Sequence, residues 1–232
     1  MPETPATETA NRRPLKSRGA GWAKAIATAL AGADVNPDLI SAMSVAFAAL
    51  GGAMMLVAAG PHVGPLRSAL FLGAAAAIQL RLLCNLLDGM IAVEHGLGSS
   101  AGPIWNELPD RIADVIFLAC AGYAAASAGM FFGAELGWTC AALALLTAYV
   151  RELGRGLGFP ADFSGPMAKP HRMAALTVTC VASALEPLWG WRGKSLMIGL
   201  AVIGLGTAFT VYRRTRTLAR RLAERAGNGD QP

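Results

Sequence analysis

The chain is predicted to be all-α, a polytopic membrane protein with six transmembrane helices and an N-terminal interfacial amphipathic helix. Three observations carry this. Hydrophobic residues make up 54% of the 232 residues against 15% charged, and mean hydropathy is positive. Apolar runs of roughly 20 residues, long enough to cross a bilayer core, follow one another along the sequence. Such a composition argues against a soluble domain, and no nucleic-acid partner is expected. Residues 1–20 read as a flexible cytoplasmic tail, because no apolar core follows their basic residues as a cleaved signal peptide requires. Residues 21–215 read as one membrane domain, and 216–232 as a basic cytoplasmic tail.

In chain order, GWAKAIATALAG has the pattern of a short helix in the headgroup layer, with Trp22 and Leu30 inward and Lys24 outward. Asn36-Pro37-Asp38 then makes a turn, and Ser41 is placed to cap the first span. Spans are expected near Ile40–Ala59, Leu66–Leu87, Ile112–Phe132, Leu136–Val150, Met173–Trp189 and Ser195–Val211. The fourth is short as drawn and is expected to continue as helix through Arg151 and Arg155. Gly51-Gly52-Ala53 and the alanines at 74–77 indicate close helix packing. Cys84, Cys120, Cys140 and Cys180 all fall inside apolar runs, which suggests packing roles rather than disulfides or a thiolate metal site. His62, His95 and His171 are read as ordinary polar residues.

Lysine and arginine favour cytoplasmic loops. One side of the membrane collects Arg12, Arg13, Lys16, Arg18, Lys24, Arg111, Arg151, Arg155, Lys169, Arg172 and the arginines from Arg213 to Arg225. The other keeps Arg67, Arg192 and Lys194. Both termini are therefore expected in the cytoplasm, with the last arginine run meeting lipid headgroups.

The segment from Asn85 to Asp114 sets polar groups at helical spacing where apolar segments enter the membrane. Asn85 and Asp88 are three apart; Asn106, Asp110 and Asp114 are four apart, so each set lines one helix face. Ionisable groups at such places are costly and mark functional sites. Facing each other, the two sets make the oxygen-rich surroundings that hard divalent cations such as magnesium require, usually shared with substrate phosphates. Arg81 lies one turn before Asn85 and is expected to face the same polar region.

This segment resembles the CDP-alcohol phosphotransferase family, whose pattern is D-x-x-D-G-x-x-A-R-x8-G-x3-D-x3-D. Asp88, Gly89, Ala92, Gly102 and Asp110 stand at matching positions with the spacing kept throughout. Asn85 and Asn106 stand where the first and third aspartates belong, and Val93 where the arginine belongs. The entry V-N-P-D-L-I-S before the first span resembles the P-N-x-[IL]-[ST] entry of the same family.

The resemblance implies displacement of CMP from a CDP-linked donor, CDP-diacylglycerol above all, by an alcohol acceptor. It implies a divalent cofactor, magnesium or manganese, held by Asn85, Asp88, Asn106 and Asp110, with Asp110 also the base that activates the acceptor. Asp114 extends that face by a turn and ranks above Glu107 and Glu94 as a compensating carboxylate. Asp88, Gly89, Ala92 and Gly102 are assigned to the nucleotide. Arg81, Arg151, Arg155, Lys169 and Arg172 are candidates for an acceptor or phosphate, although Lys169 and Arg172 equally suit plain positive-inside charge. The family likeness also implies a homodimer; a bacterial inner membrane is expected, with the site, from the lysine and arginine distribution, facing the cytoplasm. Competing readings are a relative that has lost catalysis through the asparagine changes and binds nucleotide-lipid or a partner, and a small transporter; no obvious inverted repeat supports the latter.

Overall fold

In the computed structural model, residues 20–60, 65–94, 96 and 100–227 are described, with the side chain of Asn106 excepted. Arg12, Arg13, Lys16, Arg18, His62 and His95 lie outside the described residues. The described chain is helical: α1 (Gly21–Gly32), α2 (Pro37–Ala59), α3 (Pro65–Glu94), α4 (Gly102–Ser127), α5 (Gly133–Gly156), α6 (Lys169–Leu185), a 3-10 turn at Glu186–Trp189, and α7 (Lys194–Gly227).

Local chemistry sets several boundaries. Asn36 caps α2 by accepting from the N–H of Asp38 at 2.9 Å, and Pro37 takes the first turn, where its missing N–H costs nothing. Ser41 is therefore not the cap: it lies one turn inside the helix, and its hydroxyl bonds a carboxylate of α3. The third span ends at Ser127 rather than Phe132, because Gly129 at φ +93° takes the left-handed position that closes a helix. The fifth ends at Leu185, where Pro187 cannot donate to a continuing helix and the chain turns as 3-10. Arg151 and Arg155 do continue α5. The last helix runs unbroken past residue 215 to Gly227, about 51 Å at 1.5 Å per residue.

Among the described residues four helices, α2, α3, α5 and α7, are long and apolar enough to cross a membrane, and the chain reads as a multi-pass integral membrane protein. The other two predicted spans miss that standard for visible reasons. Every 18-residue stretch of α4 contains Asp110, Arg111 and Asp114, and α6 has 17 residues.

Alternate helices run in opposite directions, so α3 starts where α6 ends. There Ser68 donates to the Ala184 carbonyl at 2.6 Å, and Arg192 reaches the Gly60 carbonyl at 2.9 Å. Arg67, Arg192 and Lys194 thus share the end opposite the motif. At that end Arg67 meets Glu186, which is fully buried. The core between the helices is built from small residues. A Cβ at Gly51 would sit 2.8 Å from Phe117, and one at Gly52 2.8 Å from the Cys120 sulfur. Ala74, Ala75 and Ala77 are buried, while Ala76 faces outward. All four cysteines are free. On α1 the protein-facing residues are Ala23 and Ala27, packed on α3, while Trp22 is exposed.

Helices α4 and α5 approach backbone to backbone, where Gly133 and Gly137, spaced G-x-x-x-G, lie against Gly122. A Cβ at Gly137 would stand 2.7 Å from both the Gly122 Cα and the Leu118 carbonyl oxygen, so it collides with backbone that cannot rotate away. Gly137→Ala is expected to destabilise by about 1–3 kcal/mol through overpacking. Thermal unfolding in detergent checks this against Gly156→Ala, whose Cβ meets nothing within 4 Å; equal melting of the two variants would refute it.

Candidate functional site

Asp88 sits near the C-terminal end of α3, and Asp110 and Asp114 lie one turn apart on α4; all three are buried. The Ser41 hydroxyl of α2 donates to Asp88 at 2.5 Å, so the entry segment and the motif meet in space. Asp88 also lies within electrostatic range of Asp110 and Lys169.

On α3, Arg81 is completely buried and turns toward α4. Its Nη2 donates to the Asp110 carbonyl at 3.1 Å, to Asp110 Oδ1 at 3.0 Å and to Asp114 Oδ1 at 3.2 Å. From α6, Lys169 bonds Asp110 Oδ2, and Arg172 Nη2 bonds Asp114 Oδ2 at 2.5 Å. Placing two cations in the first turn of α6 opposes the helix dipole; the α4 carboxylates offset it. Three basic and two acidic groups thus form one ion cluster tying α3, α4 and α6 together. Arg81 Nε and Nη1 and Arg172 Nε remain buried without a partner.

The loop delivering Lys169 is pinned to α7. Gly165 has φ +121°, and a Cβ there would lie 2.4 Å from Thr210; the N–H of Met167 donates to Thr210 Oγ1 at 3.1 Å, and Arg214 Nε to the Ser164 carbonyl at 2.9 Å.

The remaining predicted residues stand apart from this cluster. Arg151 bonds Glu107 at 2.5 Å and Glu152 at 2.8 Å, and Glu107 also holds Arg111. Glu107 is therefore engaged by arginines on two helices. Arg155 pairs with Glu152 at 2.8 Å and is largely exposed. Arg151 also lines a shallow cleft with Phe159, Asp162, Arg214 and Arg221 between α5 and α7, away from the motif carboxylates. Asn85 is partly buried on α3, Ala92 is partly buried, and Val93 is exposed. A Cβ at Gly102 would meet nothing within 4 Å, so no packing contact demands glycine there. The side chain of Asn106 lies outside the described residues. Pro109 stands inside α4 and leaves the Trp105 carbonyl without its helical donor, one residue before Asn106.

A divalent cation suits this donor set in kind, since Asn85, Asp88 and Asp110 offer hard oxygens. In charge the set is sparse. Among the described residues no three His, Cys, Asp or Glu side chains gather as a metal group. The sequence reading missed Ser41 as a partner of Asp88, although its place in the entry segment was the signal. It also missed that the basic residues of α3 and α6 pair with the motif carboxylates rather than standing free.

No protein-family model matches the sequence, and no curated protein matches it. Solved structures do. The phosphatidylinositol phosphate synthase of Mycobacterium tuberculosis with CDP-DAG bound superposes with a TM-score of 0.71 at 18% identity, covering 86% of this chain and 94% of that one. The same enzyme with manganese and citrate gives 0.69 at 18% identity over 84% and 88%. Its apo form gives 0.68 at 19% over 83% and 94%. The chain therefore shares the fold of that membrane-lipid synthase over most of both lengths.

Proposed function

We propose that this protein is a CDP-alcohol phosphotransferase of the membrane that transfers a phosphatidyl group from CDP-diacylglycerol to an alcohol acceptor and releases CMP. The observation that carries the reading is that Asp88 and Asp110, the two aspartates kept from the family pattern, lie buried at the same end of neighbouring helices of a fold shared with a synthase solved with CDP-DAG. That end also has Gly102 beside open space for a nucleotide. A manganese-bound form of the same neighbour supports a divalent cofactor, magnesium or manganese.

In this reading α2 to α7 are six spans. The α4 charges that lower its apolarity belong to the site, and α6, at roughly 26 Å, is short but close to the bilayer core thickness. Helix α1 lies in the interface with Trp22 toward lipid. The site faces the cytoplasm, because the basic residues lie at the motif end, and the membrane is a bacterial inner membrane. The protein acts as a homodimer.

Mechanistically, Asn85, Asp88, Asn106 and Asp110 would hold a divalent cation, which would supply charge neutralisation for the donor pyrophosphate. Asp88, Gly89, Ala92 and Gly102 receive the nucleotide. Asp110 takes the proton from the acceptor hydroxyl as that oxygen attacks phosphorus. The electron pair of the broken phosphoanhydride bond leaves with CMP. Lys169, with a side chain 21% exposed, presents positive charge to the incoming phosphate, while Arg151, held by Glu107 and Glu152, adds to the basic field around the site. Arg155, farther out and paired with Glu152, contributes to the field at the mouth.

Purified protein with manganese and CDP-diacylglycerol is expected to release CMP when a panel of alcohols and phosphorylated alcohols is supplied, and to stop when the metal is chelated. Donor binding with no release across the panel would favour the non-catalytic relative, for which Asn85, Asn106 and Val93 are the specific grounds.

A further inference from the structure

We infer that Asp114 is a positioning residue that holds Asp110 in place through Arg81 and is not a ligand of the metal, an inference that rests on the transferase reading above. Both of its oxygens are engaged, Oδ1 by Arg81 at 3.2 Å and Oδ2 by Arg172 at 2.5 Å, and it is 1% exposed. A coordinating carboxylate needs an oxygen that can turn to the ion. Asp110 is also doubly engaged, but its side chain is 8% exposed and one of its partners, Lys169, is 21% exposed and can give way, whereas Asp114 is shut between two guanidinium groups that are themselves buried, at 0% and 1% exposure.

What Asp114 does hold is Arg81. Among the described residues that guanidinium makes its bonds through Nη2, shared among the Asp110 carbonyl, Asp110 Oδ1 and Asp114 Oδ1, while Nε and Nη1 have no partner there. Its place therefore depends on two carboxylates one turn apart. With both present, three cations face two anions; without the Asp114 charge, three face one, and the buried cations repel one another. Arg172 loses the carboxylate it pairs with, and Arg81 loses the neighbour that keeps it square to Asp110. Asp110 Oδ1 is then free to rotate while Lys169 still pulls on Oδ2, which misaligns the base. The expected cost is that of removing a group behind a ligand, about 10- to 100-fold.

The test uses purified full-length protein in detergent with CDP-diacylglycerol and manganese. It measures kcat, donor affinity and the manganese concentration for half-maximal activity, with manganese binding read separately by electron paramagnetic resonance. Asp114→Asn is expected to lose about 10- to 100-fold in kcat, with donor and manganese affinities within about threefold of wild type. Arg81→Gln combined with Asp114→Asn is expected to lose no more than Arg81→Gln alone, because both act along one line of contacts. Weakened manganese binding in Asp114→Asn would make it a ligand and overturn the inference, as would additive losses or an unchanged kcat. If Asp114→Asn does not fold, Arg172 decides: Arg172→Lys, which keeps the charge, retains kcat where Arg172→Gln loses it, and equal activity in both overturns the idea. A wild type that releases no CMP removes the transferase reading and this inference with it, an outcome visible in the wild-type arm alone.

Discussion

Asp110→Asn is expected to reduce kcat for CMP release by about a thousandfold, within the 10²- to 10⁴-fold range of a positioned proton acceptor. The carboxamide keeps the size and buried position of the side chain but neither accepts the acceptor's proton nor balances Lys169 and Arg81, which both bond Asp110. Donor binding should persist, since Asp88 and the glycine positions remain. Activity within tenfold of wild type would remove Asp110 from the base role. Asp88→Asn beside it separates the parts: if Asp88 acts chiefly through the metal, raised manganese restores some of its turnover and none of that lost in Asp110→Asn.

At the opposite end of the molecule, Glu186→Gln is expected to cost on the order of 3 kcal/mol of stability with no direct effect on chemistry. Glu186 accepts from Arg67 at 2.6 Å, from the N–H of Gly193 at 2.9 Å and from that of Ser195 at 2.7 Å, while Arg67 also holds the Ser183 carbonyl at 2.8 Å. It thereby locks the α6–α7 turn onto the start of α3. The amide leaves a buried guanidinium without a counter-charge and cannot accept at both former oxygens. Burial pushes the Glu186 carboxyl up, but the Ser195 N–H, Arg67 and the Gly193 N–H together hold it below the usual glutamate range. A depressed native pKa stabilises the fold above the unfolded value, about 4.3, and that share is lost as pH falls through the native value. Melting temperatures of wild type and Glu186→Gln should therefore differ most near pH 7 and converge on acidification below pH ~4.3. A constant gap down to the lowest pH at which both stay folded would argue against the carboxylate as its source.

Glu186 also shows what the sequence could not disclose. It is a single acid beside Pro187 at the end of an apolar run, and its partner Arg67 lies 119 residues earlier; no periodicity connects them. The motif is the contrary case. Its spacing alone places Asn85 with Asp88 and Asn106 with Asp110 and Asp114, because helical geometry turns residues three and four apart onto one face. That the two faces meet needs the packing of α3 with α4.

Composition and short-range period suffice for the all-helical membrane class, the approximate place of each helix and the end that carries the basic residues, and they single out the carboxylates proposed for the site. What those carboxylates touch is set by tertiary packing. Arg81, Lys169 and Arg172 read as free cations for a phosphate when taken one helix at a time; across three helices they become the counter-charges of Asp110 and Asp114. Ser41 changed from a cap to a partner of Asp88 for the same reason. A buried charge must be neutralised by whatever lies opposite it, and what lies opposite is set by helix packing, whose contacts join residues as far apart in sequence as Arg67 and Glu186, 119 positions.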